Sequence, residues 1–144
     1  MQKEGFYCPL CSARVSSDDN SVVKLKGKLK SDKFSVIVNI DIPATPGKYG
    51  GAFPEGVFLE EGAEVEFICP HCKQSLTIED NPSHSALFMV NEDGKKKIMA
   101  FNRTYGKHSS FVFSVDTKKL LASYGEDQNK YVEKFNKDIN YFGF

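Results

Sequence analysis

All four cysteines of this 144-residue chain lie in two matching tetrapeptides, Cys8-Pro9-Leu10-Cys11 and Cys69-Pro70-His71-Cys72. Two residues between cysteines let a tight turn present both sulfurs to one ion from the same side. Two such turns complete a tetrahedron, whatever length of chain separates them. Zinc favours that shell, with thiolates at about 2.3 Å. Proline after the first cysteine fixes φ and removes one amide, while the remaining amides are free to donate to sulfur. No cysteine is left over. The spacing therefore predicts Cys8, Cys11, Cys69 and Cys72 as ligands of one structural zinc, a shell that four thiolates close to water. His71, between two ligands, is expected to face solvent.

Each knuckle is entered from an aromatic or β-like segment, Phe6-Tyr7 and Glu66-Phe67-Ile68. Two such CPxC knuckles resemble the zinc-ribbon superfamily, and the resemblance implies a metal that staples two β-hairpins. Ribbons often carry glycine at positive φ just after the second cysteine, where this chain has Ser12 and Lys73. The stretch from Cys11 to Cys69 also implies a β-hairpin domain inserted between the knuckles. The superfamily hosts many functions and so implies none in particular. A rubredoxin-like site would put iron on the same four cysteines and imply electron transfer. Cys69-Pro70-His71-Cys72 alone is similar to the active-site motif of thioredoxin-like disulfide oxidoreductases, whose first thiolate is activated at a helix N-terminus. Here the following Lys73-Gln74-Ser75-Leu76-Thr77-Ile78 reads as strand, with no βαβ pattern around it.

Period-two alternation dominates elsewhere. Val23, Leu25, Gly27 and Leu29 alternate with Lys24, Lys26, Lys28 and Lys30, and Phe34, Val36, Val38, Ile40 and Ile42 continue the apolar phase. Residues 22–42 therefore read as a hairpin, with Gly27 marking a bulge. Residues 43–56 hold three Pro and four Gly and read as one long loop. A second hairpin is expected from Val57 to Ile68, a strand at 75–78, and a hairpin across Asp93-Gly94 joining 86–91 to 96–101. Phe111, Phe113 and Val115 alternate again, followed by a strand at 120–124. Tyr131, Val132, Phe135 and Ile139 then fall at helical spacing, which predicts an amphipathic helix over 127–140. No internal repeat of 20 to 50 residues is visible. The chain reads as one mainly β domain over 1–144, antiparallel and sandwich-like, closed by one C-terminal α-helix. The zinc module would span 6–15 plus 66–78, with inserted hairpins over 22–65 and C-terminal hairpins over 85–124.

Nineteen basic and nineteen acidic residues cancel, so no global field draws in nucleic acid or acidic membrane. The balance is uneven along the chain. Residues 1–94 carry 9 basic and 14 acidic groups, and residues 95–144 carry 10 and 5. Within 95–119, Lys95, Lys96, Lys97, Arg103, Lys107, Lys118 and Lys119 alternate with Phe101, Tyr105, Phe111 and Phe113. That is the composition of a single-stranded nucleic-acid platform, or of strands with aromatic core faces and cationic solvent faces. Lys24, Lys26, Lys28 and Lys30 read either as a grip on phosphates or as partners across strands for Glu60, Glu61, Glu64 and Glu66. No apolar leader or membrane span is read, which points to the cytoplasm, where thiols stay reduced. His84 and His108 have no motif partners, and no residue set nominates itself as catalytic. The functional expectation is a zinc-stabilised adaptor that binds protein through the loop at 43–56 or an exposed sheet edge. Nucleic-acid binding through 95–119 is the alternative, and the oligomeric state is open.

Overall fold

The computed structural model describes residues 4–30, 35–44, 62–79, 82–104, 107–115, 119–129 and 131. They form β1 (Gly5–Tyr7), β2 (Val22–Lys30), β3 (Ser35–Pro43), β4 (Val65–Ile68), β5 (His84–Val90), β6 (Lys96–Asn102), β7 (Ser110–Ser114) and β8 (Leu120–Tyr124). Five strands make one sheet in the order β1-β5-β6-β7-β8, and three make another in the order β3-β2-β4. Every pairing is antiparallel.

The alternation read in β2 places its side chains. Val23, Leu25 and Leu29 are buried, while Lys24 is exposed and Lys26 and Lys28 are half-buried. The inward residues join Ile40, Val65 and Phe67 from the same sheet and Phe6, Leu87, Met99 and Phe101 from the other, so this core lies between the sheets. Phe67 meets Phe101 edge-on across it at 5.1 Å. The five-stranded sheet buries its far face too, through Ala86, Ile98, Ala100, Phe111 and Phe113 with Ile78. Arg103 ties the sheets together. Its guanidinium meets Glu64 at 3.1 Å and donates to the Val65 and Pro82 carbonyls.

The chain is built twice. Phe6 and Phe67 each stand two residues before a first cysteine, and Val15 and Leu76 each stand seven after it. The Val15 amide donates to Phe6 O, and the Val15 carbonyl accepts from Lys24 N in the other sheet. The Leu76 amide donates to Phe67 O, and its carbonyl accepts from Ala86 N, also in the other sheet. Each half thus runs strand, knuckle, crossover, hairpin. The first strands are exchanged: β1 pairs with β5 of the second half, and β4 pairs with β2 of the first. Phe6 faces Met89 as Phe67 faces Gly27. The displacement from Cys8 to Cys69 is longer than the 20-to-50-residue periods of solenoid repeats.

Several expectations change. β4 pairs with β2, and the first strand of the expected Val57–Ile68 hairpin, residues 57–61, lies outside the described residues. Gly27 marks no bulge, because the β2–β3 register runs unbroken from Val22 to Lys30. It is a point of close approach: a Cβ there would collide with Ile40 Cδ1 and stand 3.0 Å from Val65 Cγ1. The bulge falls instead at Val112/Phe113. The Asp93-Gly94 turn joins β5 and β6 as expected, with Gly94 at φ 76°.

The C-terminal α-helix over 127–140 is a correction. The described fold is mainly β and contains no helix among its elements. After β8 the chain folds back on the segment before β7. The Asp127 amide donates to His108 O at 2.9 Å and its carboxylate accepts from His108 N at 2.8 Å. Gln128 N closes a turn onto Gly125 O. Gln128, Asn129 and Tyr131 take helical backbone geometry, but the described residues hold no helix long enough to form an element. Tyr131, one of the residues at helical spacing, packs edge-on against His84 at 5.0 Å. Residues 130 and 132–140 lie outside the described residues.

Replacing Gly27 by Val forces Ile40 and Val65 to move within a closed core. The expected cost is about 1–3 kcal/mol, read from urea denaturation midpoints at unchanged slope.

Candidate metal centre

Both knuckles fold by the same rule. Cys8 N donates to Ala13 O and Ser12 N to Cys8 O, at 2.9 Å each; Cys69 N donates to Gln74 O at 3.1 Å and Lys73 N to Cys69 O at 3.0 Å. An isolated bridge closes each hairpin, Tyr7 with Arg14 and Ile68 with Ser75. Inside each loop an amide points at the first sulfur: Leu10 N lies 3.3 Å from Cys8 Sγ, and His71 N lies 3.4 Å from Cys69 Sγ. Turning the chain this tightly requires a left-handed residue after the second cysteine. Ser12 has φ 66° and Lys73 φ 64°. The positions where ribbons often place glycine thus keep the backbone geometry without the residue.

The four sequence-predicted residues come together. The Sγ atoms of Cys8, Cys11, Cys69 and Cys72 all lie within 4.8 Å of one another, a cluster that could hold a metal ion. The nearest contacts cross between knuckles, Cys8 to Cys72 at 3.8 Å and Cys11 to Cys69 at 3.7 Å. All four cysteines are free, and these separations far exceed the roughly 2.05 Å of a disulfide. Four sulfurs each about 2.3 Å from a central zinc stand about 3.8 Å apart along the tetrahedron's edges. Both cross-knuckle distances match that edge, and the cluster is compatible with a zinc-ribbon-like site.

Burial is uneven. Cys8 and Cys69 have no solvent exposure, Cys72 is half-buried and Cys11 is exposed. Burial pushes the Cys8 thiol up to about 12 and raises Cys69, whereas the amide of Ala13 holds Cys11 below the usual thiol value. Without a cation the two inner groups are thiols. A divalent ion reverses that preference, because it binds thiolates. His71 is exposed, as expected for a residue between ligands.

The other residues singled out in the sequence lie elsewhere. Phe101, Phe111 and Phe113 are core residues, and Arg103 is held by Glu64 and two carbonyls. The aromatic side chains of 95–119 that are described therefore face inward; Tyr105 and residues 116–118 lie outside the described residues. Lys28 stands directly opposite Glu66, while Glu64 pairs with Arg103; Glu60 and Glu61 lie outside the described residues. His84 is fully buried, with Nδ1 2.8 Å from Ser83 Oγ and Nε2 2.7 Å from Ser109 Oγ. His108 Nδ1 meets Glu126 at 2.9 Å. Sequence reasoning missed the crossover residues Val15 and Leu76. Aligning the two knuckles on their cysteines would have found them, since each is the apolar residue seven positions on.

No protein-family model, no curated protein and no solved structure matches the chain. Among the described residues, no helix is long and apolar enough to cross a membrane.

Two measurements check this geometry. Ser12→Gly and Lys73→Gly relieve a left-handed strain of roughly 1–2 kcal/mol, less the entropy glycine adds to the unfolded chain. Each is expected to raise stability by several tenths of a kcal/mol in denaturant titrations. Zinc added to the reduced apo-protein is expected to release protons, measured as buffer-dependent heat. Its apparent affinity should fall as the pH is lowered, because protons then compete for the sulfurs.

Proposed function

We propose that Cys8, Cys11, Cys69 and Cys72 bind one zinc ion in a zinc-ribbon-like structural site. The zinc-stapled β body then serves as a small protein-interaction module in a reducing compartment such as the cytoplasm. The observation that carries the reading is the pair of cross-knuckle sulfur distances, 3.7 and 3.8 Å, which match a tetrahedral zinc–thiolate edge. Four thiolates leave no position for water or substrate, so the metal's work is mechanical. It links residues 58 positions apart and removes that freedom from the unfolded chain. It also fixes the places where both crossovers begin, and those crossovers set how the sheets stack.

Elemental analysis of purified protein tests the metal, with one zinc per chain expected. An absorption spectrum separates the alternatives, since zinc thiolate is colourless and iron thiolate absorbs in the visible. Cys69→Ala, or removal of the metal by a chelator, is expected to lower the melting temperature by roughly 10 °C or more. An unchanged melting temperature after verified metal removal would refute the structural role.

A further inference from the structure

Among the described residues, β3 is the longest strand at a sheet edge, nine residues against three in β1, four in β4 and five in β8. From Ser35 to Ile40 it has no charge, no proline and no break in register. Those are the devices that normally keep an edge from pairing. Val36 is 40% exposed and Ile37 55%. On the inward face Val38 and Ile42 are only partly buried against the core, whereas Val23 and Leu25 one strand further in are closed. Among the described residues, the core between the sheets is therefore less completely covered at the β3 edge. In the second half, β6 occupies the place that β3 has in the first. β6 has β7 along its outer edge, with Lys97 to Phe101 facing Ser114 to Ser110. β3 has no such neighbour among the described residues.

We propose that the β3 strand of a second copy of this chain covers this edge. The two strands run antiparallel about a two-fold axis at Asn39 and join two three-stranded sheets into one of six. This register spans all nine residues, with Pro43 opposite Ser35 at each end, where the missing N–H removes one bond. Inward, Val36 faces Ile42 and Val38 faces Ile40, so each copy covers the other's core at this edge. Outward, Asn39 meets its own copy and Ile37 faces Asp41. No like charges oppose one another, and the contact is self-complementary, as a closed two-fold interface requires. The outer face of β2 remains cationic and solvated beside it, through Lys24, Lys26 and Lys28. The pairing does not depend on which metal the cysteines hold.

The register makes a sign-dependent test possible. Ile37→Asp sets a carboxylate opposite Asp41 of the second copy at two symmetric places, while its own-chain neighbour is Lys28. Ile37→Lys sets an ammonium opposite the same carboxylates. Light scattering of the full-length protein across the micromolar range is expected to give twice 16.1 kDa. Ile37→Asp should weaken association by about tenfold or more, and Ile37→Lys should preserve it. Circular dichroism melts report that each variant folds. A native chain that stays at one copy, association that Ile37→Asp leaves intact, or equal weakening by both variants overturns the pairing.

Discussion

Four sulfurs gathered within 4.8 Å constrain everything around them. As thiolates, each pair 3.7–3.8 Å apart would repel by about 4 kcal/mol at an effective dielectric of 20. The cage is therefore stable either as thiols or around a cation, and the proposed zinc selects the second state. Its placement gives that choice structural reach. Each knuckle is followed at once by a crossover residue, Val15 or Leu76, whose amide bonds one sheet and whose carbonyl bonds the other. Fixing the sulfurs fixes where the chain leaves one sheet for its neighbour. The Phe67–Phe101 contact and the Arg103–Glu64 pair secure the same junction from the core and from the rim.

What the sequence made legible follows from how local each signal is. The CPxC turns are short and need only their own residues, so all four cysteines were found by spacing alone. The β2–β3 and β5–β6 hairpins were likewise visible, since alternation and an Asp-Gly turn act between neighbours in the chain. Strand exchange was not. Nothing in Gly5-Phe6-Tyr7 specifies that its partner is Phe88-Met89-Val90, because register across so long a separation is set by the two sheets closing on a shared core. Gly27 was misread for a related reason. A glycine in a strand marks either a bulge or a close approach, and only the position of Ile40 decides between them. Helical spacing beyond 127 records amphipathicity; Gln128, Asn129 and Tyr131 are helical in the structure, but no helix element stands among the described residues.

The two halves share a plan and differ in what they hide. In the second half the outer face of the sheet carries Ala86, Phe88, Ile98 and Ala100 and is packed against a further core. In the first half the equivalent face carries Lys24, Lys26, Asn39 and Asp41 and meets water. The charge asymmetry along the sequence thus has a partial structural counterpart. The Phe rings in 95–119 turn inward because both faces of that sheet are covered, while Lys95, Lys96 and Lys119 stand exposed.

The exchanged first strands also fix an order of events during synthesis. As the chain leaves the ribosome, β2 and β3 can pair at once, but β1 has no sheet to join until β5 has been made. The three-stranded sheet is completed by β4, and Ile68, its last residue, immediately precedes the third sulfur. Only four residues of translation then separate the finished sheet from the fourth sulfur at Cys72. Sheet completion and the appearance of the last of the four cysteines therefore fall at nearly the same moment. The N-terminal strand docks later, onto a body already held at its centre.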